Sequence, residues 1–150
     1  MTTPLRLDVR RSGTGPAVEL WLEVPSALEY VGPAVDLIAQ GCPSGTLSPR
    51  RVAFNLRTAL AEALTNAIAY GNRHDPRRMV HVRMEITPAA VHIHVADDGA
   101  GFDPGAVPDP TLPENIEREN GRGLFVLRHL VDHVTINDKG NAVCLTLLAG

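Results

Sequence analysis

Two short apolar-rich runs near the start, Leu5 to Val9 and Ala17 to Val24, have strand-like composition and are separated by Arg11-Ser12-Gly13-Thr14-Gly15-Pro16. Each run reads as a strand, and the glycines between them suit a reversal. A hairpin is expected. A helical period follows. Leu28, Val31, Val35 and Ile38 recur at three- and four-residue spacing, predicting a helix that Ser26 caps and that Gly41 and Pro43 close. After Gly45 a second helix is predicted, with Ser48 as N-cap and Pro49 at its first position. Val52, Leu56, Leu60, Leu64 and Ile68 form its apolar face up to an end near Gly71.

Met79 to Ile86 and Ala90 to Ala96, joined by Thr87-Pro88, alternate apolar with polar positions. Val80, Val82, Met84, Ile86, Val91, Ile93 and Val95 share one face, while His81, Arg83, Glu85, His92 and His94 take the other. One face against helices and one in water describes a two-layer α+β sandwich. From Phe102 to Asn120 the prolines at 104, 108, 110 and 113 break every period, and a loop this long inside a compact domain is usually functional. A last helix carries Leu124, Leu127, Leu130 and Val131. Strands near Val134 to Asn137 and Ala142 to Leu148 follow, around the turn Lys139-Gly140-Asn141. No repeat or linker divides the chain, so one domain over residues 1–150 is expected.

Composition narrows the class. With 44% apolar, 21% charged and 4% aromatic residues, the chain reads as a soluble globular protein with an aliphatic core. A formal charge of −3 and scattered arginine pairs disfavour direct nucleic-acid binding. Cys42 and Cys144 form no CxxC and read as reduced thiols, which places the chain in the cytoplasm. No run has signal-peptide character or approaches the roughly 18 apolar residues of a membrane span, so an unexported protein without membrane association is expected. His92 with His94, and His129 with His133 one turn apart on the last helix, lack a third ligand at a readable spacing and read as solvated. Trp21 and Tyr30 are expected to pack at the junction of hairpin and first helix.

Three segments carry candidate chemistry. Glu62, Asn66 and Tyr70 recur every four residues and stack in a stripe beside the apolar face of the second helix. An amide one turn from a carboxylate suits a site where the amide oxygen helps hold Mg²⁺ and the carboxylate takes a proton from an attacking hydroxyl. Taken alone, the stripe reads as a solvated helix face. In Asp97-Asp98-Gly99-Ala100-Gly101-Phe102, Asp97 continues the parity of Val91, Ile93 and Val95. Its carboxylate should therefore face the helices and needs a donor there, such as a purine amine, although an ordinary Asp-Gly turn fits the same letters. Gly121-Arg122-Gly123-Leu124 opens a helix whose first N–H groups and dipole suit phosphate; glycine at a helix start is by itself common.

In this order the three segments resemble the N, G1 and G2 boxes of the GHKL ATPase superfamily. Glu62 to Asn72 and Gly121 to Leu127 resemble in particular its anti-sigma serine/threonine kinase branch. The resemblance covers nearly the whole chain. It implies the Bergerat, histidine-kinase-like fold: an α+β sandwich with a mixed, mainly antiparallel sheet and helices on one face. By resemblance Glu62 is the general base and Asn66 a Mg²⁺ ligand and nucleotide contact. Asp97 receives the adenine amino group beside Gly99 and Gly101, with Asn72 and Phe102 among the nucleotide contacts. Gly121, Arg122, Gly123 and Leu124 hold phosphates, and residues 103–120 form an ATP lid.

The sequence departs from the family pattern with Tyr70 where His is frequent, Asp98 where Asn is frequent, and a proline-rich lid; these flank the key positions without replacing them. The implied function is an anti-sigma factor kinase. It phosphorylates a Ser or Thr of a STAS-type anti-sigma antagonist with Mg-ATP, sequesters a sigma factor or another regulator, and forms a homodimer. Two other readings stay open: a non-catalytic, ATP-gated protein-binding regulator, and a histidine-kinase-like catalytic domain acting on a separate partner, since no helical hairpin for a phosphoacceptor His is visible.

Overall fold

Both apolar-rich runs at the start become strands: β1 (Arg6–Arg11) pairs antiparallel with β2 (Val18–Pro25). The computed structural model describes residues 5–11, 18–43, 45–99, 119–137 and 140–150. A 3₁₀ turn (Leu28–Tyr30) leads into α1 (Val31–Gly41). The long second helix is α2 (Arg57–Asn66), flanked by π-helical segments Arg51–Leu56 and Ala67–Gly71. Then come β3 (Met79–Ile86), β4 (Ala90–Ala96), α3 (Glu119–Leu130), β5 (His133–Ile136) and β6 (Ala142–Leu148). Sheet order is β1-β2-β3-β4-β6-β5. Each of its pairings is antiparallel, so among the described residues the sheet is uniformly rather than mainly so.

Register explains which face is covered. Leu22 lies opposite Val82, and Val82 opposite Val95; Leu20, Met84, Ile93 and Leu145 line up likewise across four strands. All are buried, as are Leu56, Leu60, Leu64 and Ile68 of the long helix and Ile38 of α1. Each such aliphatic side chain removed from water stabilises the fold by about 1.5–3 kcal/mol, so the apolar periods of helix and strand interlock in one core. Helices therefore cover one side of the sheet. Among the described residues no helix is long and apolar enough to cross a membrane.

The second helix starts as its sequence predicts: the Ser48 hydroxyl accepts the Arg51 N–H at 3.2 Å, with Pro49 in the first turn. Ser26 does not cap the first helix. Its hydroxyl donates to the Arg78 carbonyl at 2.7 Å, and neither the 3₁₀ turn nor α1 has a side-chain cap. Tyr30 packs against the core as expected, but Trp21 does not. Trp21 shares the parity of Glu19 and Glu23 and lies on the open face of the sheet. There its indole N–H donates to Glu19 at 3.1 Å and the Arg83 guanidinium stands 5.5 Å from its ring. His133 begins β5 instead of ending the last helix, so it and His129 do not share a helical face.

Candidate functional site

The long helix aims its C-terminal end at the end of β4. Gly71 closes the helix, and a methyl group in place of its hydrogen would overlap the Asp97 carboxyl. A methyl on Gly99 would likewise overlap the Gly71 carbonyl. These glycines are required by space, because helix end and strand end touch through their backbones. Asp97 thus faces the helix layer, as its parity with Val91, Ile93 and Val95 predicts.

The turn after β4 is held at every residue. Asp97 N–H donates to the Asn141 carbonyl at 2.9 Å, and the Asn141 side chain returns a bond to the Asp97 carbonyl at 3.0 Å. Asp98 N–H donates to Asn72 Oδ1 at 2.8 Å, while its carboxylate accepts the Met79 N–H at 3.3 Å and lies 3.3 Å from His81 Nε2. Gly99 N–H closes on Asp97 Oδ1 at 2.8 Å. An Asp in place of the frequent Asn at position 98 therefore has a local use: two acceptor oxygens toward β3.

Helix geometry orders the remaining residues. Asn66 ends α2, one turn before Gly71 across the π-helical segment, and Glu62 stands one α-helical turn further back, roughly 6 Å along the axis at about 1.5 Å per residue. Both are half-buried, whereas Tyr70 is exposed. α3 begins at Glu119, two residues before the expected opening at Gly121, so Gly121 and Arg122 fall in its first turn, where backbone N–H groups lack intrahelical partners, and Gly123 and Leu124 follow in the second. The far end of α3 is tied down: Asn55 Nδ2 donates to the Leu130 carbonyl at 2.8 Å, and Leu127 and Val131 are buried. Just beyond, Asp132 accepts from Leu148 N–H and Arg51 at 2.8 Å each; these bonds, the backbone one foremost, hold its carboxyl below the usual range. Gly101 and Phe102 lie outside the described residues.

Asn72 departs from its expected role as a cofactor contact. It is wholly buried, and its amide donates to Ser26 Oγ at 2.9 Å and the Met79 carbonyl at 3.0 Å while accepting from Asp98. Those bonds occupy both of its donor hydrogens and tie it to protein. It is delivered there by an abrupt helix end, in which His74 N–H reaches the Ile68 carbonyl at 2.8 Å and Arg73 and His74 both adopt left-handed backbone, φ 51° and 57°.

Ser26 and Asn141 escaped sequence reasoning. The Asn137-to-Asn141 segment is legible as a turn, and Asn137 Oδ1 indeed accepts the amides of Gly140, Asn141 and Ala142. Nothing local to it points to Asp97, a partner far away in the chain. On the open sheet face His92 meets Thr146 at 2.9 Å and His94 meets Cys144 at 3.7 Å. Burial, with Arg83 and His92 adding to it, pushes the His94 pKa down.

Known proteins share this arrangement of sequence. The chain is 29% identical over 128 residues to the serine-protein kinase RsbW of Oceanobacillus iheyensis, covering 79% of this chain and 78% of the relative. It is 28% identical over 133 residues to RsbW of Staphylococcus aureus, covering 83% of each. Similarity to the anti-sigma F factor of Geobacillus thermodenitrificans is 32% over 89 residues, 57% of this chain, and spans only 60% of that protein's length. A family model described as the histidine kinase-like ATPase domain matches residues 24–147. That match runs from the end of β2 into β6 and takes in every element meeting at the Asp97 turn, so the chain belongs to the histidine kinase-like ATPase domain family.

Proposed function

We propose that this chain binds Mg-ATP along the face between the long helix and the β4 end and transfers its γ-phosphoryl group to a Ser or Thr hydroxyl of a protein partner. The observation that carries the reading is the contact between Gly71 and Asp97, which joins two segments that are separately unremarkable turns and stripes. The order Asp97, Asn66, Glu62 along the helix then follows an elongated nucleotide from base to terminal phosphate. A carboxylate has about four lone-pair sites, so Asp97 can accept a purine amine in addition to Gly99 N–H. Gly71 and Gly99 keep side chains out of the space beside it.

Asn66 would hold Mg²⁺ through its side-chain amide oxygen. Bound Mg²⁺ would neutralise phosphate charge and orient the transferring group. Glu62 accepts the proton of the attacking hydroxyl, and the N-terminal end of α3, which carries Gly121, Arg122, Gly123 and Leu124, holds phosphate oxygens through the unpaired N–H groups of its first turn. Gly101 and Phe102 complete the set of residues proposed to contact the nucleotide. The names of the relatives, serine-protein kinase and anti-sigma F factor, support a regulatory role. The kinase phosphorylates a STAS-type antagonist and otherwise holds a sigma factor or similar regulator, acting as a homodimer in the cytoplasm.

The test incubates the protein with labelled ATP, Mg²⁺ and candidate STAS proteins from the same genome. Label should pass to one Ser or Thr, and Glu62→Ala should retain ATP binding while transfer falls by at least about 10²-fold, the usual contribution of a general base. ATP binding with no transfer to any candidate would favour a nucleotide-gated binding module. A fully active Glu62→Ala would remove Glu62 as base.

A further inference from the structure

Between the two layers, at the edge of the nucleotide face, lies a buried polar relay that no apolar core needs. Ser26 is 2% exposed and Asn72 0%, the pair that stands out as polar in an otherwise aliphatic interior. The Ser26 hydroxyl donates to the Arg78 carbonyl at 2.7 Å and accepts Asn72 Nδ2 at 2.9 Å. Asn72 Nδ2 also reaches the Met79 carbonyl at 3.0 Å, and its Oδ1 accepts Asp98 N–H at 2.8 Å. The relay thus runs from the residue after β2, through the helix end, to the first residue of β3 and the turn after β4. Buried polar groups of this kind destabilise unless every bond is made, and when made they fix one geometry.

We propose that Ser26 and Asn72 are a positioning pair for purine recognition: they touch no nucleotide, but set the Asp97-Asp98-Gly99 turn against Gly71 so that the Asp97 carboxylate meets the base at one place. The proposal rests on the ATP-binding reading above. Its chemistry follows from connectivity. Asp98 N–H is one residue from Asp97, and the Asn72 amide is one residue from Gly71, whose carbonyl and α-carbon abut Gly99 and the Asp97 carboxyl. Asn72 therefore binds together both walls of the space in which the base would lie. Loss of the Ser26 hydroxyl leaves one donor of the buried Asn72 amide unsatisfied, so the amide is held only by the Met79 carbonyl and Asp98 N–H and fixes the turn against the helix end less tightly.

The pair acts at the base and not at the phosphates, which yields a readout that a purely structural role would not move. In Ser26→Ala, measured well below its melting temperature, Kd for ADP should rise about fivefold, the equivalent of one hydrogen bond lost. The factor should be equal with and without Mg²⁺, and the ratio of ATP to GTP affinity should fall. Asn72→Ala should show the same pattern more strongly; if it does not fold, Ser26→Ala decides. Wild-type affinity and purine preference in a folded Ser26→Ala with lowered thermal stability would overturn the proposal and leave the pair a stability device. A loss confined to Mg²⁺-containing buffer would overturn it too, by placing the effect at the metal. Failure of the wild-type protein to bind any adenine nucleotide would instead overturn the underlying reading, and the pair's role with it.

Discussion

Replacing Gly71 by Ala tests the contact on which the site depends. Gly71 has no positive φ, so alanine is tolerated by the backbone and by itself would stabilise the chain by about 0.4–1 kcal/mol through a less disordered unfolded state. The added methyl, however, overlaps the Asp97 carboxyl, and overpacking of this kind costs about 1–3 kcal/mol. The steric cost wins, leaving a net destabilisation near 1.5 kcal/mol, or about 3–6 °C in Tm for a chain of this size. If the carboxylate yields by swinging aside, its bond to the purine amine is lost. A hydrogen bond to a charged group contributes about 1.5–3 kcal/mol, which corresponds to an affinity loss of roughly 10- to 150-fold. Urea unfolding and calorimetric ATP titration measure the two effects separately. The decisive control is the same substitution in an Asp97→Ala background, where the clash is gone and Gly71→Ala should become neutral or stabilising. Equal destabilisation in both backgrounds, or wild-type midpoint and affinity in the single variant, would refute the argument that helix end and strand end meet at this point.

Two further substitutions probe the frame around the site. His74→Gly relieves a left-handed backbone that costs a non-glycine residue about 1–2 kcal/mol, against a glycine entropy cost of about 0.5–1 kcal/mol; the urea midpoint should rise by the equivalent of about 0.5–1 kcal/mol, and a fall would show that the side chain matters more than the backbone. Asp132 has a depressed pKa, first through its bond from Leu148 N–H and then through Arg51. Its contribution is therefore present above the unfolded carboxylate value of about 4 and is lost as pH falls through the lower folded value. Between pH 6 and 3 the wild-type protein should lose more stability than Asp132→Asn; parallel profiles would remove Asp132 from the acid response.

Much of the site's frame was legible because its signals are local. The apolar face of Leu56, Leu60, Leu64 and Ile68, the cap at Ser48 with Pro49 behind it, and the parity that turns Asp97 toward the helices each depend on residues a few positions apart. The open-face position of Trp21 follows from its parity with Glu19 and Glu23, which outranks the hydrophobicity of its ring. The sequence by itself therefore determined the elements, their buried faces and the candidate positions along each.

Tertiary structure alone decided how those elements meet. Ser26 has the letters of a helix cap, yet its hydroxyl finds the Arg78 carbonyl and Asn72, because the 3₁₀ turn moves the start of α1 away from it. Asn72 reads as one more residue of a nucleotide-binding stretch, yet burial behind the Asp98 turn occupies its amide with protein partners. Asn141 meets Asp97 only because β6 pairs with β4 in one register. Periodicity reports which face of a helix or strand is apolar. Hydrogen-bond partners distant in sequence follow from sheet order and register, which are set by the joint packing of all the faces at once.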